Sequence, residues 1–224
     1  SKALWPRRML RMERRLIPAR ETRSELRVLN SRFVASLAPT FSVEEARAFV
    51  ARIRAEFPDA SHHVPAYLIG HGRSVIAHCR DDGEPAGTAG RPALAVLQGS
   101  GLGDVTVVVT RYFGGTKLGT GGLVRAYGDA VRSVLEVTPR AMRVATHTVR
   151  LTLPYPLYER AQRLIEAHCG YLLDADFAAA VTLTARFVAD DLPAFQTALQ
   201  QLTGGQSSAT VIASDPATIV PLDE

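Results

Sequence analysis

Polar and apolar residues change rhythm several times along the chain. In residues 25–37 (ELRVLNSRFVASL) apolar side chains fall at Leu26, Val28, Leu29, Phe33, Val34 and Leu37, which predicts one or two strands. Ser42-Val43-Glu44-Glu45 has capping-box spacing. Ala46, Phe49, Val50, Ile53 and Phe57 then follow at helical intervals until Pro58 stops the helix. Residues 63–70 and 74–79 are short apolar segments around His71-Gly72-Arg73 and predict a hairpin. Residues 80–92 (RDDGEPAGTAGRP) show no apolar period and read as a loop, with Pro92 in the first turn of a short helix over 92–98. The β-branched run 105–110 (VTVVVT) predicts a strand buried on both faces. A second glycine-rich loop over 111–122 (RYFGGTKLGTGG) follows. Leu123, Val124, Tyr127, Val131, Val134 and Leu135 then mark a long amphipathic helix, with Arg125–Asp129 and Arg132–Glu136 spaced to pair on its outer face.

Pro139 breaks this helix and the pattern restarts. Residues 143–153 alternate as a strand. Pro156 opens a helix through Leu157, Ala161, Leu164, Ile165 and His168, and Gly170 ends it. Residues 171–176 and 178–188 predict two strands, Asp191 the cap of a helix that Gly204-Gly205 ends, and 207–213 a last strand. This order, βαββαβ, is the ferredoxin-like arrangement. The fold class expected is therefore α+β in two domains, 15–140 and 141–214, with a basic extension over 1–14 and a tail over 215–224.

Composition changes this picture little, and charge changes it more. The chain has 224 residues, of which 46% are apolar and 21% charged, which excludes a mainly disordered or collagenous chain. Two distant cysteines, Cys79 and Cys169, exclude a disulfide framework and point to reduced thiols in a cytoplasm. No apolar run reaches the roughly 18 residues of a membrane span. The net charge of +4 is unevenly placed: residues 1–32 carry ten basic and three acidic residues, while the rest is net acidic. Such an arm suits polyanions or serves as a solubilising tail. It lacks the apolar segment of a signal peptide. Met9 and Met12 are candidate natural starts, so residues 1–8 read as upstream sequence. Residues 1–12 are expected to be mobile or to contribute only peripheral contacts.

The chemistry concentrates in the two glycine-rich loops. Gly114, Gly115, Gly119, Gly121 and Gly122 lie between a buried strand and a helix start near Thr120, where unpaired amides and the helix dipole favour an anion. Arg111, Lys117 and Arg125 stand beside them, which suits a phosphate; tight packing of the loop is the plain alternative. The spacing is neither a Walker loop nor a dinucleotide fingerprint. Asp81, Asp82 and Glu84 crowd one turn and are candidates for acid/base work, a cation, or pairing with an arginine of the second loop, Asp82 with Arg125 or Glu84 with Arg111. Such pairing brings the two loops together in one cleft. His62 and His63 face opposite sides of a strand, and no zinc spacing appears around His71, His78 and Cys79. Structural histidines, no metal and no nucleophile–base pair are the reading.

DDGEPAGTAGRP at 81–92 and GSGLGDVTVVVTRYFGGTKLGTGGLVRAYGDAV at 99–131 resemble the signature of the YigZ/Impact family. Ile17-Pro18-Ala19, Ser31-Arg32-Phe33 and Asp59-Ala60-Ser61-His62-His63 resemble its upstream motifs. The resemblance implies an N-terminal Impact domain like the second domain of ribosomal protein S5. It also implies a ferredoxin-like domain similar to the last domain of elongation factor G. Both relatives work on RNA or the ribosome, and eukaryotic members of the family regulate translation. The function expected is a cytoplasmic, non-enzymatic nucleic-acid- or ribosome-associated protein with no cofactor. Tyr112, Phe113 and Tyr127 are the aromatics placed to stack near the loops. The rivals are an enzyme acting on a phosphorylated small molecule at the same cleft, and a protein-interaction module that docks through the sheet of the second domain.

Overall fold

The computed structural model describes residues 15–222, so the basic extension over 1–14 lies outside the described residues. The chain divides into two compact units between Ala141 and Met142. The first contains β1 (Leu16–Pro18), β2 (Thr22–Val28), β3 (Ser31–Pro39), α1 (Val43–Glu56), β4 (His62–Ile69), β5 (Ile76–Cys79), α2 (Gly90–Gly99), β6 (Val105–Tyr112) and α3 (Gly119–Glu136). Its main sheet has the order β2-β3-β6-β4-β5, with antiparallel neighbours throughout.

Local chemistry sets these boundaries. The Glu45 amide donates to Ser42 Oγ at 3.1 Å, and Glu45 Oε2 accepts from the Phe41 amide at 2.8 Å, so both halves of the predicted cap form at the start of α1. Leu29, at φ 50°, turns β2 into β3. Strand alternation then sorts the core. Phe33 and Leu37 lie on the same sheet face as their register partners Arg111 and Val107, whereas Val34, Ala38 and Val108 face the other way. On that second face Phe49 and Ile53 of α1 close over Ala38 and Val108. On the first face the Tyr127 ring of α3 meets Phe33 edge-on, 5.3 Å between centroids, and both are fully buried. Each such ring contributes about 1.5–3 kcal/mol by burial, so the sheet is clamped between α1 and α3.

In the second unit β7 (Arg140–Leu153) is followed by α4 (Tyr158–Ala167), β8 (Tyr171–Phe177), β9 (Val181–Val188), α5 (Leu192–Thr203) and β10 (Thr210–Pro221). Within this unit β7, β9 and β8 lie side by side in that order, and β10 also pairs with β7. Val149, Leu151 and Leu183 pack with Ile165 of α4 and Phe195 and Leu199 of α5.

Four local expectations need correction. Residues 215–221, expected as a tail, belong to β10. Pro216 is tolerated because β10 is an edge strand, and Ser214 and Thr218 on either side of it bond His147 and Thr146 of β7 at 2.7 Å. The second glycine loop is shorter than 111–122, because α3 already includes Gly119–Gly122. On α3, Asp129 pairs with Arg132 at 2.5 Å rather than with Arg125, since i,i+3 neighbours are also in reach. Asp191 gives α5 no side-chain cap bond; its carbonyl accepts from the Phe195 amide at 3.3 Å.

Candidate functional site

The loop after β5 is held at three consecutive corners. Asp81 accepts from the amides of Gly87 (2.8 Å), Gly90 (2.8 Å) and Ala89 (3.1 Å), which fastens the loop to the start of α2. Burial alone would raise the Asp81 pKa, but these three amides together hold the carboxyl below its usual range. Asp82 Oδ1 accepts from Arg54 of α1 at 2.5 Å, and Oδ2 accepts from the His63 amide of β4 at 2.7 Å. These partners outweigh its burial and lower its pKa as well. Asp82 (φ 49°) and Gly83 (φ 87°) are both left-handed, which swings the chain around and points the next carboxylate elsewhere.

That carboxylate is Glu84, 8% exposed. Its Oε1 accepts from Arg111 Nη1 at 2.6 Å and from the Tyr127 hydroxyl at 2.8 Å, while Oε2 lies 3.8 Å from His62 Nε2. His62 Nδ1 donates to the Asp82 carbonyl at 2.8 Å, which orients its ring. Arg111 Nη2 donates to Ser31 Oγ at 3.3 Å, and its guanidinium covers the Phe33 ring at 5.5 Å. The Tyr127 phenol is pushed up, first by burial and then by its bond to Glu84 and the charge there. A buried ion pair is stable only when its remaining polar atoms find partners, and Ser31 and Tyr127 supply two of them.

Glu84 therefore joins the two glycine-rich loops, through the arginine that begins the second. Arg111 was expected among the anion-binding residues. It is only 4% exposed and faces Glu84, because strand alternation puts it on the same face as Val107 and Val109. Asp82 pairs with Arg54, not Arg125. Asp81 is engaged by three backbone amides, Asp82 by Arg54 and the His63 amide, and Glu84 Oε1 by Arg111 and Tyr127. Tyr127 is fully buried and cannot stack on a ligand. Tyr112 bonds Asp59 at 3.0 Å, and Phe113 is 49% exposed. Tyr127, Ser31, Arg54 and His62 are the members of this assembly that motif reading did not assign to it. Ser31 and His62 lie in the quoted upstream motifs, and Tyr127 lies four residues from both Leu123 and Val131 on the apolar stripe of α3; Arg54 carried no signal.

Beyond Arg111 the second loop turns outward. The Gly114 amide reaches Ser31 Oγ at 3.3 Å, and a Cβ there would sit 2.0 Å from the Asn30 carbonyl, so packing demands glycine. Gly115 and Gly119 have φ of 84° and 72°. Gly121 has neither constraint: a Cβ there would meet nothing within 4 Å. Lys117, Thr120, Gly121 and Arg125 are exposed, Gly122 is half-buried, and α3 starts with no side-chain cap bond. Lys117 and Arg125 form no ion pair among the described residues.

His63 Nε2 bonds the Phe57 carbonyl at 2.8 Å, on the sheet face opposite to His62. His71 Nε2 donates to the Leu16 carbonyl at 3.0 Å. Among the described residues no three His, Cys, Asp or Glu side chains gather as metal ligands, and no helix is long and apolar enough to cross a membrane.

Residues 29–135 match the family model described as Impact N-terminal domain, and residues 151–206 match a domain of unknown function, DUF1949. The chain is 40% identical over 195 residues to IMPACT family member YigZ of Escherichia coli, covering 87% of this chain and 96% of that protein. An IMPACT family member of Haemophilus influenzae is 38% identical, with 85% and 93% covered. A solved structure of a hypothetical protein, 39% identical, covers 90% of this chain and 98% of its own with a TM-score of 0.56.

Proposed function

The chain belongs to the IMPACT family, and from that starting point we propose that it is a non-enzymatic nucleic-acid- or ribosome-associated protein of the cytoplasm, bearing on translation, that grips phosphate groups at the start of α3. The observation that carries the reading is the bare entry to this helix. Its first amides have no intrahelical partner, Gly121 keeps the backbone uncovered where neither packing nor conformation requires glycine, and Lys117 and Arg125 are exposed and unpaired among the described residues. Exposed amides with two cations suit a phosphate. Phe113 adds an exposed ring on the same loop, where a base can stack.

The rival enzymatic reading needs a free acid/base group where the loops meet. There Glu84 Oε1 accepts from both Arg111 and Tyr127, which favours a rigid support over a reaction centre.

Titration with single-stranded RNA across a salt series tests the proposal. Lys117→Ala and Arg125→Ala should weaken binding across sequences, and each should shallow the salt slope by about one unit per lost phosphate contact. The wild-type protein should comigrate with ribosomal particles and lose them as salt rises. A folded protein that binds no RNA at low salt would overturn it.

A further inference from the structure

The opposite face of the first unit carries a second concavity, separate from α3. A cleft of about 470 Å³ opens between α1 and the β4–β5 hairpin, within the range of about 300–1,000 Å³ of small-ligand sites. Its apolar lining is Val50 and Ala51 of α1 with Pro65 and Tyr67 of β4. The Tyr67 ring stacks against His78 of β5, 5.0 Å between centroids and tilted by 32°, which makes a short aromatic wall.

The charged lining is one-sided. Arg47 and Arg54 are seven residues apart on α1, two turns along one face. Arg80 enters from the end of β5. Asp82 supplies the opposing charge and is taken by Arg54. Arg47 and Arg80 are exposed and have no ion-pair partner among the described residues. Burial first, then the charges of Arg80 and Arg47, lower the His78 pKa, so both guanidinium groups bear on the same ring. The cleft thus has two uncompensated cations at its rim and an apolar, ring-lined interior.

We infer that this cleft binds a phosphate monoester of a planar heterocycle, the chemistry of a nucleoside monophosphate, with the phosphate between Arg47 and Arg80 and the ring against His78 and Val50, at the edge of the mostly buried Tyr67. Two unpaired cations match the dianion of a monoester, and guanidinium groups suit phosphate oxygens through paired N–H donors. A phosphate alone would leave the aromatic wall unused, and an uncharged nucleoside would leave the cations unused.

Calorimetric titration with adenosine monophosphate, adenosine and inorganic phosphate, joined to amide chemical-shift mapping, tests this. The monophosphate should bind more tightly than either fragment and should shift residues of α1, β4 and β5. Arg47→Ala and Arg80→Ala should each weaken it about tenfold, as expected for loss of one charge-assisted contact. Both side chains are exposed, and thermal melts should show the variants folded. In Lys117→Ala and Arg125→Ala the ligand-induced shifts of α1, β4 and β5 should persist at the same ligand concentrations, which separates the cleft from the phosphate grip proposed at α3. No binding of the monophosphate at millimolar concentration would overturn the inference. So would equal binding of inorganic phosphate, or affinity that survives loss of both Arg47 and Arg80. Shifts confined to the start of α3 would overturn it while supporting the other site.

Discussion

Glu84 Oε1 and Arg111 Nη1 lie 2.6 Å apart across 27 residues of chain, with both side chains 5% exposed or less. This pair is the bolt between the two glycine-rich loops, and the Tyr127 hydroxyl locks it from α3. Removing one partner of such a pair strands a buried charge. Glu84→Ala should therefore destabilise the protein by about 3–5 kcal/mol. Tyr127→Phe should cost less, about 1.5–3 kcal/mol for a hydrogen bond to a charged group. Urea unfolding measures both, and a loss under 1 kcal/mol for Glu84→Ala would refute the role given to the pair.

Two glycines of the second loop should respond in opposite ways. Gly114→Ala forces a Cβ to within 2.0 Å of the Asn30 backbone, so the loop must shift and the melting temperature should fall. Gly121→Ala meets open space in the first turn of α3 and should gain up to about 1 kcal/mol of helix stability. The same methyl should weaken RNA retention, because it covers the amides proposed to hold phosphate. Thermal melts with parallel binding assays check both, and a Gly121→Ala protein that keeps full affinity would count against the α3 site.

Asp82 predicts an acid limb of stability. Its folded pKa lies below the ordinary value of 3.8, so the unfolded chain takes up the proton first as pH falls. Its contribution is complete above about pH 4 and is lost as pH drops through the folded value. Asp82→Asn should be less stable than wild type at neutral pH, and the gap should narrow below about pH 4. Unfolding curves from pH 7 to pH 2.5 check this, and a gap independent of pH would refute it.

His78 sets a second limb at milder pH. Its folded pKa is depressed, so its neutral form is favoured in the folded state, and stability falls as pH drops below about 6.5 towards the folded value. His78→Gln should flatten the profile in that window. Paired unfolding experiments between pH 8 and pH 5 are the measurement, and identical slopes would exclude the effect.

The elements most legible in the sequence were those whose ends are written in local chemistry. The Ser42–Glu45 cap, the turn at His71-Gly72-Arg73 and the Gly204 stop depend on neighbours a few residues away. Arg111 was harder because its fate depends on residues far along the chain. A cation beside five glycines suggests an anion, yet the alternation of Val107, Val109 and Arg111 already pointed its side chain inward. Tyr127 could be read either as a stacking ring or as a member of the apolar stripe, and the stripe prevailed. The far half of β10 was hidden by Asp215-Pro216, a pair that suggests a turn. Asp215 indeed bonds the Ala217 amide at 2.9 Å, but the strand recovers because β7 is available beside it. The cleft under α1 left no trace at all, since Arg47, Tyr67 and Arg80 are brought together only by sheet register and helix docking.

The pairing of β10 with β7 has a consequence for how the chain is made. On a ribosome β7 emerges early, whereas its neighbour follows only after α4, β8, β9 and α5. At bacterial-type rates of about 5–20 residues per second, the edge of β7 that β10 covers waits several seconds for its partner. The first unit, complete once Ala141 has emerged, is free to fold during that time. The nascent second unit meanwhile carries an open strand edge, so truncation before Thr210 should yield a product that pairs with other chains and precipitates.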